Sequence, residues 1–209
     1  MRHGFGVVAA TVVMAMACGQ AAEVRIDETK GIPPVKGTTE VQLGSFTCGM
    51  PITSGEVMVQ TRTVPEGCEL SFDKDVPVLK AEDYDGIPEF RGATSLVQRI
   101  ELTVKRLGFT DGATNMPLDL ATRVVSAQLS INGQLVAEKA TLSSLPRVVK
   151  LEGAALDAMK GKIEARQAAS VRTRVVLVVP SMPAPPQRLV VDYDAQPAIV
   201  VGVKPPSLF

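Results

Sequence analysis

The side chains that most often carry chemistry are scarce in this 209-residue chain, which has one histidine, His3, and three cysteines, Cys18, Cys48 and Cys68. We expect His3 to be removed with an N-terminal leader, which would take most general-base and metal-ligand chemistry with it. Cys48 and Cys68 lack the Cys-x-x-Cys spacing of redox pairs. As an even pair in an exported chain, they predict a structural disulfide.

Ser71 and Lys74 have a Ser-x-x-Lys spacing that resembles the penicillin-binding serine acyl-transferases, and Ser130 with Asn132 imitates the Ser-x-Asn element of that family. In that family the serine opens a helix, so that the lysine returns on the next turn. Ser71 lies instead in a β-patterned run, and no Lys-Thr-Gly element follows. We interpret the match as a coincidence and predict no catalytic residue.

Glu82, Asp83 and Asp85 precede Gly86 and form an acidic cluster. Carboxylates on a turn can bind calcium, which prefers six to eight oxygen ligands, but the spacing lacks the remaining ligands of such a loop. The residues Asp85 and Gly86 are typical of a chain reversal. We therefore expect a solvent-exposed turn, with neither a metal nor another cofactor.

Positive charge recurs at Lys160, Lys162, Arg166, Arg172 and Arg174. Strand alternation would direct Arg172 and Arg174 to the same face. This patch has two interpretations: a surface for an anionic lipid or an acidic partner, or the ordinary solvated face of a strand whose valines are buried. The whole chain balances 22 basic against 22 acidic side chains, which argues against nucleic acid as a partner.

The N-terminus has the pattern of a secretory signal peptide: Arg2 is followed by an apolar run over residues 7–17. The run is shorter than the roughly 20 apolar residues that a transmembrane helix needs. Small residues then precede Cys18, and this arrangement resembles a bacterial lipobox, although Ala15 stands where a larger aliphatic residue is usual. The resemblance implies that Cys18 is diacylated, becomes the new N-terminus and anchors the protein in a membrane of the bacterial cell envelope.

Ala15 and Ala17 also satisfy the small-residue rule of ordinary signal peptidase, so a soluble periplasmic or secreted product is the alternative. After the leader, residues 18–39 are polar and interrupted by glycine and proline, which predicts a lipid-anchored flexible tether. Within this segment, the alternation of Val24 and Ile26 leaves an edge strand open as a second interpretation.

From residue 40 onward, apolar residues recur with period two, most clearly over 98–105 and 123–131. Asn132–Gly133 then predicts a type I′ hairpin into 135–138. Further strands are predicted over 55–63, 69–72, 76–79, 146–151, 171–179, 189–193 and 198–203.

Short strands with this spacing predict an antiparallel β-sandwich, immunoglobulin-like or related, over residues 40–204, followed by a tail over 205–209. Residues 153–167 predict one short amphipathic helix that caps the sandwich. We interpret 110–120 as a loop within one domain; two small β domains joined there are the alternative.

These features together favour a non-enzymatic, membrane-tethered lipoprotein that binds or scaffolds another protein of the envelope. The first alternative is a carrier that holds an apolar ligand, such as a lipid chain, between its sheets. A hydrolase that works without histidine is a more distant alternative.

Overall fold

The computed structural model describes residues 22–44, 46–55, 57–87, 90, 97–180 and 186–203. The fold is mainly β, with two antiparallel sheets that enclose a common apolar core, as the sequence predicted. The predicted leader, the lipidation at Cys18 and the tail over 205–209 lie outside the described residues.

The first sheet is organised around one long strand near the C-terminus. Within the described ranges its strands are β1 (Ala22–Ile26), β2 (Val35–Gln42), β6 (Val97–Asp111), β7 (Met116–Pro117), β10 (Arg147–Lys150) and β12 (Arg188–Val203). β12 pairs with β6 along one side and with β1 and β2, end to end, along the other.

The second sheet has the strand order β3-β4-β5-β11-β8-β9. These strands are β3 (Ile52–Ser54), β4 (Val57–Val64), β5 (Gly67–Leu79), β8 (Ser126–Ile131), β9 (Gln134–Glu138) and β11 (Ala169–Val179).

Short helical segments connect the strands. The α-helices in the described part of the chain are α1 (Asp83–Gly86), α2 (Leu120–Arg123) and α3 (Gly153–Glu164). Two 3-10 helices in the same part of the chain span Glu28–Lys30 and Lys139–Ser144.

The predicted tether is wrong from residue 22 onward, because this segment is part of the first sheet. β1 pairs with the end of β12 from Ala22 opposite Val203, and β2 pairs with its earlier half from Val35 opposite Ala195. Ile26 is fully buried. The edge-strand interpretation is therefore correct: β1 and β2 pair along the free side of β12, Gly31, Pro33 and Pro34 lie in the loop between them, and Gly37 lies within β2.

The strand predicted over 123–131 begins later than expected. Asp119 accepts a hydrogen bond from the backbone of Ala121 and caps the turn of α2, so the chain is helical up to Arg123. Val124 is consequently buried, whereas Val125, which the alternation had placed in the core, is 43% exposed. From β8 onward the prediction is correct, and Asn132 and Gly133 adopt the positive φ angles of the predicted hairpin.

Two pairs of predicted strands are continuous. β5 joins the strands predicted over 69–72 and 76–79 and runs through Pro77, and β12 joins those predicted over 189–193 and 198–203 and runs through Pro197. Pro197 lies where neither β1 nor β2 pairs with β12, so its missing N–H leaves no ladder bond unmade on that side.

Both halves of the chain contribute strands to each sheet and side chains to one core, with no division at residues 110–120. β6 continues to Asp111, and β7 folds back to pair with its last two residues.

Helix α3 connects the two sheets, running from β10 in the first to β11 in the second. As the amphipathic pattern predicted, Met159 and Ile163 are buried while Lys162 is exposed. Tyr84 of α1 is buried beside Phe90, and its hydroxyl donates to the carbonyl of Gln167, just beyond α3. The two helical segments are thus joined on the same core.

Candidate binding site

An apolar cleft lies between the two sheets and has a free volume of about 50 Å³. Phe72, Val76 and Val171 contribute from the second sheet, and Val35 and Leu107 from the first. Pockets for drug-sized ligands usually measure about 300–1,000 Å³. The cleft therefore has room for one small aliphatic group rather than for a lipid chain.

Lys74 is a charged residue on the inward-facing side of β5. Its neighbours on that side, Phe72 and Val76, are buried in the core, and Lys74 itself is half-buried and lines the cleft. Within the part of the chain that the structure describes, Lys74 forms no ion pair. Because Ser71 lies an odd number of residues away on the same strand, its side chain points to the opposite face. The Ser-x-x-Lys spacing is thus a coincidence, as interpreted from the sequence.

Three residues with hydroxyl groups also line the cleft, Thr39, Thr173 and Tyr193. Thr173 lies opposite Lys74 on β11 and donates to its carbonyl at 2.8 Å. The Tyr193 ring crosses Gly37 on the neighbouring strand, where a Cβ atom would lie 2.2 Å from the tyrosine Oη. Burial raises the pKa of Tyr193. Because the hydroxyl proton of Thr173 is already donated to the Lys74 carbonyl, Lys74 and Tyr193 supply the charged and neutral donors at the cleft, and both donor types suit a carboxylate.

Cys48 and Cys68 form the predicted disulfide, with their Cα atoms 5.9 Å apart. Cys68 is buried in the first residues of β5, and Cys48 lies in the loop before β3. The bridge therefore ties that loop to a central strand of the second sheet.

The residues of the predicted basic patch lie among carboxylates. Arg172 and Arg174 share the outer face of the second sheet, directly opposite Asp75 and Asp73 of β5. Arg172 forms an ion pair with Asp73 at 3.0 Å. This part of the surface is therefore of mixed charge.

The remaining basic residues lie on or just after α3. Lys160 is half-buried, Lys162 is exposed, and Arg166 contacts Asp85 of α1 at 3.7 Å. The acidic cluster thus forms a one-turn helix rather than the predicted turn, and the half-buried Asp83 accepts a hydrogen bond from the backbone of Lys80 at 2.7 Å. Among the described residues, no group of three or more histidine, cysteine or acidic side chains is placed to hold a metal ion.

A second polar constellation, not foreseen from the sequence, lies on the outer face of the first sheet. Glu101 of β6 is only 7% exposed and receives hydrogen bonds from Arg25 of β1 and from Arg99. These bonds, that from Arg25 foremost, hold the pKa of Glu101 below its ordinary value.

The Arg25–Glu101 pair covers the middle of the first sheet. Arg25 lies opposite Val200 on β12, and Glu101 lies opposite Ala198 on the other side of the same strand. Both β12 side chains are buried although they face away from the main core. The sequence shows that Arg99 and Glu101 lie on the same face of a strand. It does not show that Arg25, which is 76 residues from Glu101, is the second partner of this carboxylate.

Comparisons with protein-family models, curated proteins and solved structures found no match for this chain. Within the described ranges, no helix is both long enough and apolar enough to cross a membrane.

Proposed function

We propose that this protein is exported and anchored through acylated Cys18 to a membrane of the bacterial cell envelope, where its sandwich binds another envelope protein without catalysing a reaction. The observation that carries the proposal is the Cys48–Cys68 disulfide. Disulfides form and persist in oxidising compartments, in agreement with the leader pattern over residues 1–17.

The position of β1 limits how far the domain stands from its proposed anchor. Ala22 is already paired in the first sheet, only four residues after Cys18. An extended chain spans at most about 3.5 Å per residue, so this connection reaches at most about 14 Å. The sandwich would therefore lie at the membrane surface, and its partner would be a membrane-associated protein.

The interior favours binding at the surface over carriage of a lipid. A carrier must enclose its ligand, and the cleft of about 50 Å³ is far below the several hundred Å³ typical of ligand pockets. The sheets are otherwise packed through large buried side chains such as Leu70, Leu177 and Ile199.

The anchoring is tested by mass spectrometry of the protein isolated from its own cells. We expect a chain that begins at Cys18 and carries acyl groups, recovered with the membrane fraction. The variant Cys18→Ala should lose the acyl groups and leave the membrane fraction, whereas the control Cys48→Ala should remain there. A full-length, uncleaved chain in the cytosol would contradict export.

A further inference from the structure

One side of β5 lacks a neighbouring strand over part of its length. β4 pairs with β5 as far as Val59 opposite Phe72, and its preceding residues pair with β3 alone. Within residues 74–79, all except Val78, which lies at a register shift, pair with β11 on one side, while no strand in the described part of the chain pairs with them on the other. We call residues 74–79 the open β5 edge.

The backbone groups that point out from this edge follow from the hydrogen bonds of β11. The N–H of Arg172 donates to the Asn132 side chain at 2.9 Å, and its carbonyl accepts from the Asn132 backbone at 2.7 Å, so Arg172 faces β8. Because successive residues of a strand alternate, Thr173 faces β5 and pairs with Lys74. The backbone N–H and carbonyl of Asp75 must then point away from β11, toward the open side.

Pro77 has the same orientation as Asp75, two residues further along the strand. A proline is tolerated in a sheet where its missing N–H would face outward. Its presence therefore agrees with an edge that is free of a neighbouring strand.

Charged side chains flank this edge on both faces. Lys74 points inward beside the cleft, whereas the exposed Asp75 points outward, and neither forms an ion pair with another described residue. The cleft continues from Lys74 to Val76 on the same face. An added strand would thus meet backbone hydrogen-bonding groups, a small apolar recess and two charges of opposite sign that form ion pairs with none of the described residues.

We infer that the open β5 edge binds an extended segment of the partner protein as an additional β-strand. The segment would alternate: a small aliphatic side chain in the cleft near Val76, an acidic side chain near Lys74, and basic side chains on the outer face near Asp75. Backbone pairing supplies affinity and the alternate side chains supply selectivity. This inference rests on the proposed function and names how the partner is held.

A second copy of the same edge is a poorer occupant. Two β5 edges paired antiparallel with Asp75 opposite Asp75 would place two carboxylates side by side on the outer face, and like charges directly opposite each other repel. Pro77 would also leave carbonyls without donors in such a pair. Charges and proline at an edge are the usual features that prevent self-association.

The probe is the peptide acetyl-Lys-Val-Lys-Glu-Lys-Val-Lys-amide, which has the required alternation. It is titrated by calorimetry into the full chain purified in detergent. Two control peptides carry N-methyl groups, one on the Val and Glu residues and the other on the inner Lys residues. Since an added strand uses only one of its two edges, one control should lose binding at least tenfold while the other binds as the parent does. Equal affinity of all three peptides, or no binding of the parent peptide, would overturn the inference.

Two variants at one position separate the backbone from the charge. Asp75→Pro removes the outward N–H and should weaken peptide binding at least tenfold. Asp75→Ala keeps that N–H, loses only the carboxylate, and should weaken binding about two- to threefold. Circular dichroism melting confirms that both variants fold, and if Asp75→Pro is unfolded, the N-methyl comparison on the unaltered chain decides. A folded Asp75→Pro protein that binds like the unaltered chain would refute strand addition.

Crosslinking in intact cells distinguishes this inference from the proposed function. A photoreactive residue at position 75 should crosslink to a membrane-associated protein, and one at the exposed position Glu164 should not. If the chain is acylated and captures its partner only elsewhere, strand addition is wrong and the proposed function stands. If the peptide results hold but the chain is never exported, the proposed function is wrong and the binding edge stands.

Discussion

Glu101 provides the sharpest test of how the first sheet is stabilised. Its side chain is nearly buried, while its two partners, Arg25 and Arg99, remain 44% and 39% exposed. Hydrogen bonds to charged groups contribute about 1.5–3 kcal/mol. In Glu101→Gln the amide retains one acceptor and water can solvate both arginines, so we expect a loss of about 1–2 kcal/mol in the free energy of unfolding.

Removing the other partner should cost more. Arg25→Ala leaves a buried carboxylate with Arg99 alone and uncovers Val200, so we expect a loss of about 2–3 kcal/mol. Urea unfolding followed by circular dichroism measures both variants. The control is Glu69→Gln, which breaks the more exposed pair with Arg62 on the second sheet and should cost about 0.5 kcal/mol or less.

The pH dependence has a definite sign. Because hydrogen bonds from Arg25 and Arg99 lower the pKa of Glu101 in the folded state, its contribution is present above the unfolded pKa of about 4.3 and is lost as the pH falls through the lower folded pKa. The stability difference between the unaltered protein and Glu101→Gln should therefore shrink below about pH 4. A difference that is absent at pH 7, or equal at pH 7 and pH 3, would refute this account.

Three further predictions concern the disulfide and the buried core. Replacing Cys48 and Cys68 together by Ser opens a loop of sequence separation 20 and should lower the unfolding free energy by about 3 kcal/mol in urea titrations. Ile163→Ala in α3, at a fully buried position, should cost about 2–5 kcal/mol, while the exposed neighbour Lys162→Ala should change stability by less than about 0.5 kcal/mol. Burial raises the pKa of Tyr84 to about 12, so the unaltered protein should lose stability as the pH rises above about 10, and Tyr84→Phe should flatten that decline in thermal melts at increasing pH. A steeper decline in the variant would contradict this assignment.

Much of the second sheet could be predicted from local patterns. The period-two alternation identified β8 and β11, and Asn132–Gly133 located the hairpin to within a residue. The even cysteine count identified the disulfide. Each of these signals is confined to a few neighbouring residues or to a count, so no knowledge of distant contacts was needed.

Strands β1 and β2 of the first sheet and the candidate site were harder to predict because their partners are distant in the chain. Residues 22–39 look polar and interrupted, yet β1 and β2 are strands because β12 offers them an unpaired side. Lys74 violates the alternation of β5, but only the sandwich shows that its side chain lines a cleft.

By itself, then, the sequence determined that the chain forms alternating strands, one short helix and a disulfide. Alternation and turn residues depend only on neighbouring positions, and the parity of the cysteines is a simple count. The tertiary structure alone decided which strand edges are filled. It joined Arg25 to Glu101 across β12 and left Asp75 facing outward. The physical reason is that a strand pairs with whichever strand still has free backbone N–H and carbonyl groups along its side, and this depends on segments that are distant in the chain.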